Sequence, residues 1–595
     1  MSPDLSLEGL RARLAELTEE EPDAIGPDVN LFELGLESIA LMQLVSGWRR
    51  AGVEVNFAEL AERPTLAGWA ELLGGRVPAS EPEDREPADE TGDEFPLAVL
   101  QHAYWVGRGP GQRLGGVAAH LYVEFDGTGV DPDRLRTAVE RLVARHPMLR
   151  VVVTDNGRQR IAAESGWRGL GVHDLRDRAD ATAELESVRE RYSHQMLDIE
   201  SGEVLATALS LLPGGRTRLH VDVDMVAADA VSYRLLLADL AALYADPAGE
   251  LPALGCGFAE YRAARPAARR EAAERDARWW ADRLAALPGA PELPTVEVPG
   301  ADSTRVARRA VHLPAEERAA LGAAARAHGL TVAMVVATAF AEVVGAWSAR
   351  ERFLLNVPLF DRDPVHPDID HVVGDFTSSV LLDIDLSRPA TFAQRAAAVQ
   401  ARMHADAAHA AYTGVEVLRD LTRRAGRQVL APVVFTSAIG LGELFSAGVR
   451  EHFGDPVWII SQGPQVLLDA QVTEVGGGLL VNWDARGAEF APGVVDAMFA
   501  AFAGLVRRLA HDRSAWQQPV DVLPDEQRAA RERANATGGP VSRGHARLHD
   551  GFFARAARTP QAVAVAGPRP LTYGELAERA PRPAAARAQI GRAHV

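Results

Sequence analysis

The stretch RLHVDVDMVAADAVSYRLLLADL, residues 218–240, decides how the large central part of this chain folds. It begins with strict alternation, in which the apolar residues from Leu219 to Met225 share one face of a strand and a histidine and two aspartates share the other. A turn of small residues follows, and Asp229 is well placed to cap a helix whose buried stripe carries leucines. The pattern predicts a strand that passes through a tight junction into a helix.

Acidic residues mark this junction, where Asp224, Asp229 and Ser232 form the pattern D-x-x-x-x-D-x-x-S. Acids so close together also fit a solvated turn or a cation site, but neither flank supplies an obvious set of further oxygen ligands. A helix cap together with one buried ion pair explains the spacing without a metal. We therefore expect no metal here.

Length and composition limit the class of protein. The chain has 595 residues, enough for about three to five domains. Its net charge of −19 argues against nucleic acid or an anionic membrane surface as a partner. Its one cysteine, Cys256, excludes a disulfide framework within the chain and suits a reducing, cytoplasmic location. The longest apolar run, residues 331–347, is short for a membrane span and carries Glu342, which favours a buried helix.

Residues 1–75 have the pattern of a small bundle of four helices. One predicted helix buries Leu41, Leu44, Val45 and Trp48, while Ile39 and Met42 point elsewhere and are weak candidates for docking partner enzymes. Gly35-Leu36-Glu37-Ser38 resembles the phosphopantetheine attachment site of carrier proteins. At a helix start, Ser38 would present its hydroxyl where the helix dipole favours a phosphate, although such a serine can also be only a cap. The segment from Asn56 to Leu73 is most similar to aryl carrier proteins of phenolate siderophore assembly. Together with the attachment-site motif, this resemblance implies 4'-phosphopantetheine on Ser38.

An acidic segment, residues 76–94, separates this bundle from the rest of the chain. It is rich in Pro, Glu, Asp and Ser and has no periodicity, which is typical of a flexible tether or of a passive spacer. A tether would raise the effective concentration of the carrier's cargo at the next domain.

Several ordered motifs in residues 95–525 resemble the heterocyclization domains of nonribosomal peptide synthetases. They are FPLAVLQHAYWVGR from Phe95, RHPMLR from Arg145, the D-x-x-x-x-D-x-x-S junction, residues 353–385 around Arg362, PVVFTS at 432–437, and ISQGPQVLLDAQ ending at Gln471. In the related condensation domains the junction reads HHxxxDG, so an aspartate stands here in place of the first histidine. The resemblance implies two α/β lobes similar to chloramphenicol acetyltransferase, about 95–265 and 300–525, with a tunnel between them that a carrier enters from each mouth.

The implied reaction joins an aryl thioester to a carrier-bound Cys, Ser or Thr, and then closes a thiazoline or oxazoline ring with loss of water. The resemblance places the ring-closing pair at Thr436 and Asp469. Asp469 would act as acid or base, so burial must raise its pKa towards neutrality. We further expect Asp229 and Arg362 to form a buried pair that ties the lobes, and Asp224 to shape the tunnel.

Departures from the family pattern keep other interpretations open. Asp361 replaces the usual Asn, and Gly463, Leu467 and Ala470 replace the usual Thr, aromatic residue and His. A domain that forms only amides, or a non-catalytic scaffold for carrier docking, would also fit a degraded last motif.

Residues 526–595 begin like an adenylation domain and then depart from it. The match runs from 548 to 580, and the chain then ends in PRPAAARAQIGRAHV, which we interpret as sequence that is not native. We expect no adenylation by this chain. Its expected partners are a phosphopantetheinyl transferase, a stand-alone aryl-AMP ligase that loads the carrier, and downstream adenylation and carrier domains. With the carrier first, the chain would initiate an assembly line.

Overall fold

The computed structural model divides the chain into two compact units, Met1–Val522 and Leu523–Val595. The residues that it describes are 4–18, 20–32, 34, 36, 40–41, 44–45, 47–48, 53, 55, 59–60, 63–74, 94–296, 304–536, 549–567 and 570–580.

The carrier region contains helices α1 (Leu7–Thr18) and α2 (Leu66–Leu73) and a core of its own. Trp69 is fully buried there and donates from Nε1 to the carbonyl oxygen of Leu60 at 3.0 Å. The predicted apolar face is part of this core: Leu41, Leu44, Val45 and Trp48 are all buried. The predictions for Ser38, Ile39 and Met42, and for nearly all of the 76–94 tether, lie outside the described residues.

The first half of the large domain alternates strands and helices. Its strands are β1 (Phe95–Pro96), β2 (His120–Thr128), β3 (Val151–Val153), β4 (Arg158–Ile161), β5 (Gly171–Asp174), β6 (Leu205–Leu211) and β7 (Arg216–Asp224). Its helices are α3 (Val99–Gly107), α4 (Pro132–Arg145), α5 (Ala181–His194), α6 (Ala230–Ala245) and α7 (Phe258–Arg283).

The second half continues the same style. Its strands are β8 (Ala307–Leu313), β9 (Arg352–Phe360), β10 (Thr377–Asp385), β11 (Val433–Ser437), β12 (Asp455–Gln462), β13 (Leu468–Val475) and β14 (Gly478–Ala485). Its helices are α8 (Ala315–Arg326), α9 (Val332–Trp347), α10 (Phe392–Ala407), α11 (Gly414–Ala425), α12 (Ala447–Phe453) and α13 (Val494–His511). As predicted, the apolar run after Gly329 forms a buried helix, α9, because it is hydrophobic around nearly its whole circumference.

Two large sheets organise these elements. A five-stranded sheet has the order β12-β2-β7-β6-β5, and a six-stranded sheet has the order β10-β9-β11-β13-β14-β8. β7 pairs with β2 on one side and β6 on the other, so it is central, and every residue after Arg216 in it is buried. The polar face of β7 is therefore interior. This excludes the interpretation of Asp224 and Asp229 as parts of a solvated turn.

The division into lobes at 95–265 and 300–525 is too simple, because the second half contributes a strand and apolar side chains to the first. β12 pairs antiparallel with β2 and completes the first sheet. Ile369, Val372 and Phe376, together with apolar residues of α12, belong to the core of the first half. A strand edge and an apolar surface of the first half are covered in this way, which no local pattern in the sequence indicates.

The second unit contains α14 (Asp525–Asn535), α15 (Asp550–Arg558), β15 (Val563–Val565), β16 (Leu571–Thr572) and α16 (Tyr573–Arg579). β15 and β16 form a two-stranded antiparallel sheet. The anomalous tail, 581–595, lies outside the described residues. Across the described parts of both units, no helix combines the length and apolarity that a membrane span needs, and no cluster of three or more His, Cys, Asp or Glu side chains is arranged to hold a metal.

Candidate active site

The junction after β7 is organised by Asp229. Its Oδ1 accepts a hydrogen bond from the backbone N–H of Ser232 at 2.7 Å, which caps α6 as predicted. Its Oδ2 accepts from the N–H of Phe376 at 3.1 Å, and Nη2 of Arg362 lies 3.3 Å from Oδ1. Asp229 is 1% exposed, so the predicted buried ion pair with Arg362 is present.

Ser232 extends this contact into the loop before β10. Its Oγ donates to the carbonyl oxygen of Gly374 at 2.8 Å and accepts from the N–H of Gly374 at 3.0 Å. Arg362 donates to the Ser232 Oγ and also to the carbonyl oxygens of Ile369 and Val372, at 3.0 and 2.8 Å. These bonds fix a segment of the second half onto the start of α6.

Asp224 is fully buried at the end of β7 and has a different partner. Its Oδ2 lies 2.5 Å from Nη1 of Arg108, and its Oδ1 accepts from the N–H of Val226 at 3.0 Å. Burial raises the pKa of Asp224, although Arg108 opposes the rise. That Asp224 shapes the tunnel stays a prediction: Met225 lines the central cavity at this point. The contact seen for Asp224 is with Arg108, the C-cap residue of α3.

Thr436 and Asp469 lie together on neighbouring parallel strands, β11 and β13. The Thr436 Oγ1 donates to the Asp469 Oδ1 at 3.3 Å. Thr436 sits directly beside Gln471 in the register, and Asp469 precedes Gln471 by two residues, so all three side chains share one face of the sheet. The structure thus joins the two residues that the sequence proposed as a pair.

Four polar residues that the sequence analysis did not single out support Asp469. The Gln471 Nε2 donates to the Asp469 Oδ2 at 2.6 Å, and the Asn482 Nδ2 donates to the Gln471 Oε1 at 3.0 Å. Arg308 pairs with Asp484 and reaches the Gln471 Oε1 at 3.4 Å. The two-residue spacing between Asp469 and Gln471 along β13 could have revealed Gln471. The other three residues come from β8 and β14, and only the strand order of the sheet places β14 next to β13 and β8 next to β14.

The environment of Asp469 tunes its acidity. Burial raises its pKa to about 7, and the nearby Asp484 carboxylate adds to that rise. The hydrogen bonds from Gln471 and Thr436 and the charge of Arg308 act in the opposite direction. A carboxyl with a pKa near neutrality can both donate and accept a proton, which is the property that acid–base catalysis requires.

A cavity of about 500 Å³ lies between the two sheets, in front of this pair. Residues of both halves line it, including Tyr104, Met225, Asn356, Thr436, Asp469 and Gln471. Its size and its largely apolar wall with a few converging polar groups are typical of sites for small organic substrates.

The departures in the last motif fall on different sides of the sheet. Ala470 is fully buried in the core of the second half, on the face of β13 opposite Asp469. Gly463 lines the cavity. The loss of the family's histidine therefore changes the core beneath the strand and leaves the polar face of β13 intact.

Two sheets with a polar pair facing the cavity between them define a condensation-type fold. The family model "Condensation domain" matches residues 93–530, and the chain belongs to this family. The model "Phosphopantetheine attachment site" matches residues 8–73. The predicted combination of a carrier region with a condensation-superfamily domain is confirmed.

Individual relatives refine this assignment. The chain is 51% identical to phenyloxazoline synthase MbtB of Mycobacterium sp. (strain MCS), over 96% of this chain and 49% of the relative. It is 40% identical to pyochelin synthetase PchE of Pseudomonas aeruginosa (strain PAO1), over 96% of this chain and 40% of the relative. The EpoB cyclization-docking bidomain from Sorangium cellulosum superimposes with a TM-score of 0.67 at 33% identity, over 80% of this chain and 100% of that one. The chain thus spans about half or less of the length of the curated relatives MbtB and PchE.

Proposed function

We propose that this chain is an initiating fragment of a nonribosomal peptide synthetase that condenses a carrier-bound aryl group with carrier-bound Cys, Ser or Thr and closes the product to a thiazoline or oxazoline. The observation that carries the proposal is the Thr436–Asp469 pair, which faces a cavity between the two sheets. The names of two relatives, a phenyloxazoline synthase and a pyochelin synthetase, support phenolate siderophore-type biosynthesis as the setting.

The first step, amide formation, needs mainly positioning. A thioester is already activated, and the cavity between the sheets would bring the two reactants together. The amine nitrogen bonds to the thioester carbon, the carbon–sulfur bond breaks, and sulfur leaves with a proton as a thiol.

Ring closure needs acid–base help, because an amide oxygen must leave as water. The side-chain oxygen or sulfur bonds to the amide carbon and releases its proton, and the amide nitrogen releases a second proton as the C=N bond forms. Both protons end on the departing oxygen. We assign this proton transfer to Asp469, whose pKa of about 7 suits it for both directions.

Thr436 and Gln471 orient the Asp469 carboxyl. The Thr436 hydroxyl donates to one of its oxygens and the Gln471 amide to the other, so the carboxyl plane is fixed relative to the cavity. Asn482 and Arg308 hold Gln471 in turn.

The alternative of amide formation alone is less well supported. It was motivated by Gly463 and Ala470, but Ala470 lies in the core, and Thr436 and Asp469 are hydrogen-bonded to each other on the opposite face of the strand. A carrier scaffold without catalysis would not need a partly buried carboxyl with a pKa near neutrality in the cleft.

The carrier match supports 4'-phosphopantetheine on Ser38, within a predicted four-helix bundle. When bound, the group supplies a thioester that presents the acyl chain, and the cavity of about 500 Å³ is large enough for a small aryl group and the end of such an arm. A phosphopantetheinyl transferase, an aryl-AMP ligase and downstream adenylation and carrier domains are the proposed partners, in the cytoplasm.

Reconstitution tests the proposal. The full chain is loaded with 2-hydroxybenzoyl-coenzyme A by a phosphopantetheinyl transferase and is mixed with seryl-pantetheine thioester. Mass spectrometry should show a product that is one water lighter than the open amide. The open amide as the sole product would favour the alternative, and no acyl transfer at all would favour the scaffold.

A further inference from the structure

Helix α3 and its C-cap residue place three polar side chains of the FPLAVLQHAYWVGR motif on one face: Gln101, Tyr104 and Arg108, at positions i, i+3 and i+7. The outer two are tied to the strand–helix junction. The Gln101 Nε2 donates to the carbonyl oxygen of Val226 at 2.7 Å, and the Arg108 Nη1 donates to Asp224 at 2.5 Å. The face of α3 is thereby fixed on both sides of Tyr104.

The C-terminal end of α3 also meets the loop that leads to Asp469. Gly107 is buried, and a Cβ at this position would lie 2.8 Å from the Pro464 Cβ. Because glycine has no side chain, the helix and the loop approach more closely than any other residue would permit. α3 therefore spans the space between the junction and the strand that carries the candidate acid.

Tyr104 itself lines the cavity. Within the described part of the chain, its hydroxyl has no hydrogen-bond partner. Burial, followed by the charges of Asp375 and Asp469, raises the pKa of Tyr104 well above its ordinary value, so the phenol keeps its proton. A neutral, unpaired donor in the wall of an active-site cavity is available to a substrate oxygen.

We propose that Tyr104 is a further catalytic residue, whose phenol donates a hydrogen bond to the carbonyl oxygen under attack, and that Arg108 and Asp224 are positioning residues that hold it there. The inference rests on the proposed function and adds to it the group that stabilises charge on the substrate oxygen. Negative charge develops on that oxygen when the amine, and later the hydroxyl or thiol, bonds to the carbonyl carbon. Tyr104 keeps its own proton throughout, and Asp469 carries the protons that the departing water needs.

This role also accounts for the aspartate at the start of the junction motif. A histidine in place of Asp224 would remove the carboxylate that pairs with Arg108. The anionic partner is required because the Arg108 side chain is only 11% exposed. The motif thus acts on the substrate through α3.

Substitution of Tyr104→Phe in the loaded full chain tests the proposal. The substrates are seryl-pantetheine thioester for the whole reaction and the preformed 2-hydroxybenzoyl-seryl-pantetheine thioester for ring closure alone. Since loss of one oxyanion donor lowers kcat by about 100- to 1,000-fold, we expect a loss of about 100-fold in kcat with KM and Tm little changed. Tyr244→Phe is the matched control: its hydroxyl accepts from the N–H of Asp131 at 2.9 Å near the far end of α6, so its loss should leave kcat unchanged.

A double-mutant cycle tests the positioning role. Asp224→Asn should lower kcat in the same step as Tyr104→Phe, and in the Tyr104→Phe background it should have little further effect, because the donor that it positions is already absent. Additive losses would instead show that Asp224 supports only the fold.

Two results separate this inference from the proposed function. If the wild-type chain forms ring product and Tyr104→Phe retains its kcat, Tyr104 is only part of the wall and the inference is wrong. If the wild-type chain forms no product, the proposed function is wrong, and the inference that rests on it is wrong as well. Should Asp224→Asn unfold, the Tyr104→Phe kcat, measured on a variant whose Tm matches wild type, still decides the main claim.

Discussion

Replacement of Asp469 by asparagine should stabilise the protein at neutral and alkaline pH while it removes ring closure. Burial raises the pKa of this carboxyl from 3.8 to about 7. A group with a raised folded-state pKa contributes fully below its unfolded pKa, and that contribution is lost as pH rises through the folded value. A shift of about three units at about 1.4 kcal/mol each gives a cost of up to about 4 kcal/mol above neutrality, which Asp469→Asn would relieve.

Thermal unfolding across pH provides the assay. Each kcal/mol corresponds to roughly 1 °C in a domain of this length, so the Tm advantage of Asp469→Asn should widen by roughly 3 °C between about pH 4.5 and pH 8. Asp496→Asn is the control, because a hydrogen bond from Arg309 lowers the pKa of Asp496. Removal of this carboxylate should therefore give no increase in Tm as the pH rises. A Tm difference that stays constant across pH would refute the raised pKa and, with it, the assignment of Asp469 as the acid–base group.

Three further changes test the contacts around the site. Asp229→Ala should destabilise the domain by about 3–5 kcal/mol in urea unfolding, because Arg362 loses its buried partner; an unchanged midpoint would contradict the tie between the halves. Thr436→Val removes a hydrogen bond that lowers the pKa of Asp469, so the apparent pKa of the pH–rate profile for ring closure should rise; a fixed profile would exclude their coupling. Gly107→Ala should lower kcat, because the added methyl group would displace α3 from Pro464. Expression at the wild-type level is the control for folding, and a kcat equal to that of wild type would contradict the prediction.

Local pattern was sufficient for much of the fold. The alternation before Asp224 predicted β7, and the cap at Asp229 predicted the start of α6, because both depend on interactions within a few residues. The apolar run that became α9 was recognised for the same reason. The Asp229–Arg362 pair joins residues that are far apart in the chain, so local pattern could not indicate it. It was predicted from the family motifs instead.

The sequence by itself indicated the order of the regions and the carrier match, and its resemblance to a known family indicated the pair Thr436 and Asp469, because ordered motifs are visible in the sequence directly. Only the tertiary structure placed β12 in the first sheet, and only it showed that Arg308, Asn482 and Asp484 stand behind the acid. The same holds for the raised pKa of Asp469, which arises from burial in a cleft built by both halves of the chain. Strand order and desolvation depend on contacts between distant segments, and the spacing of residues along one strand carries no record of them.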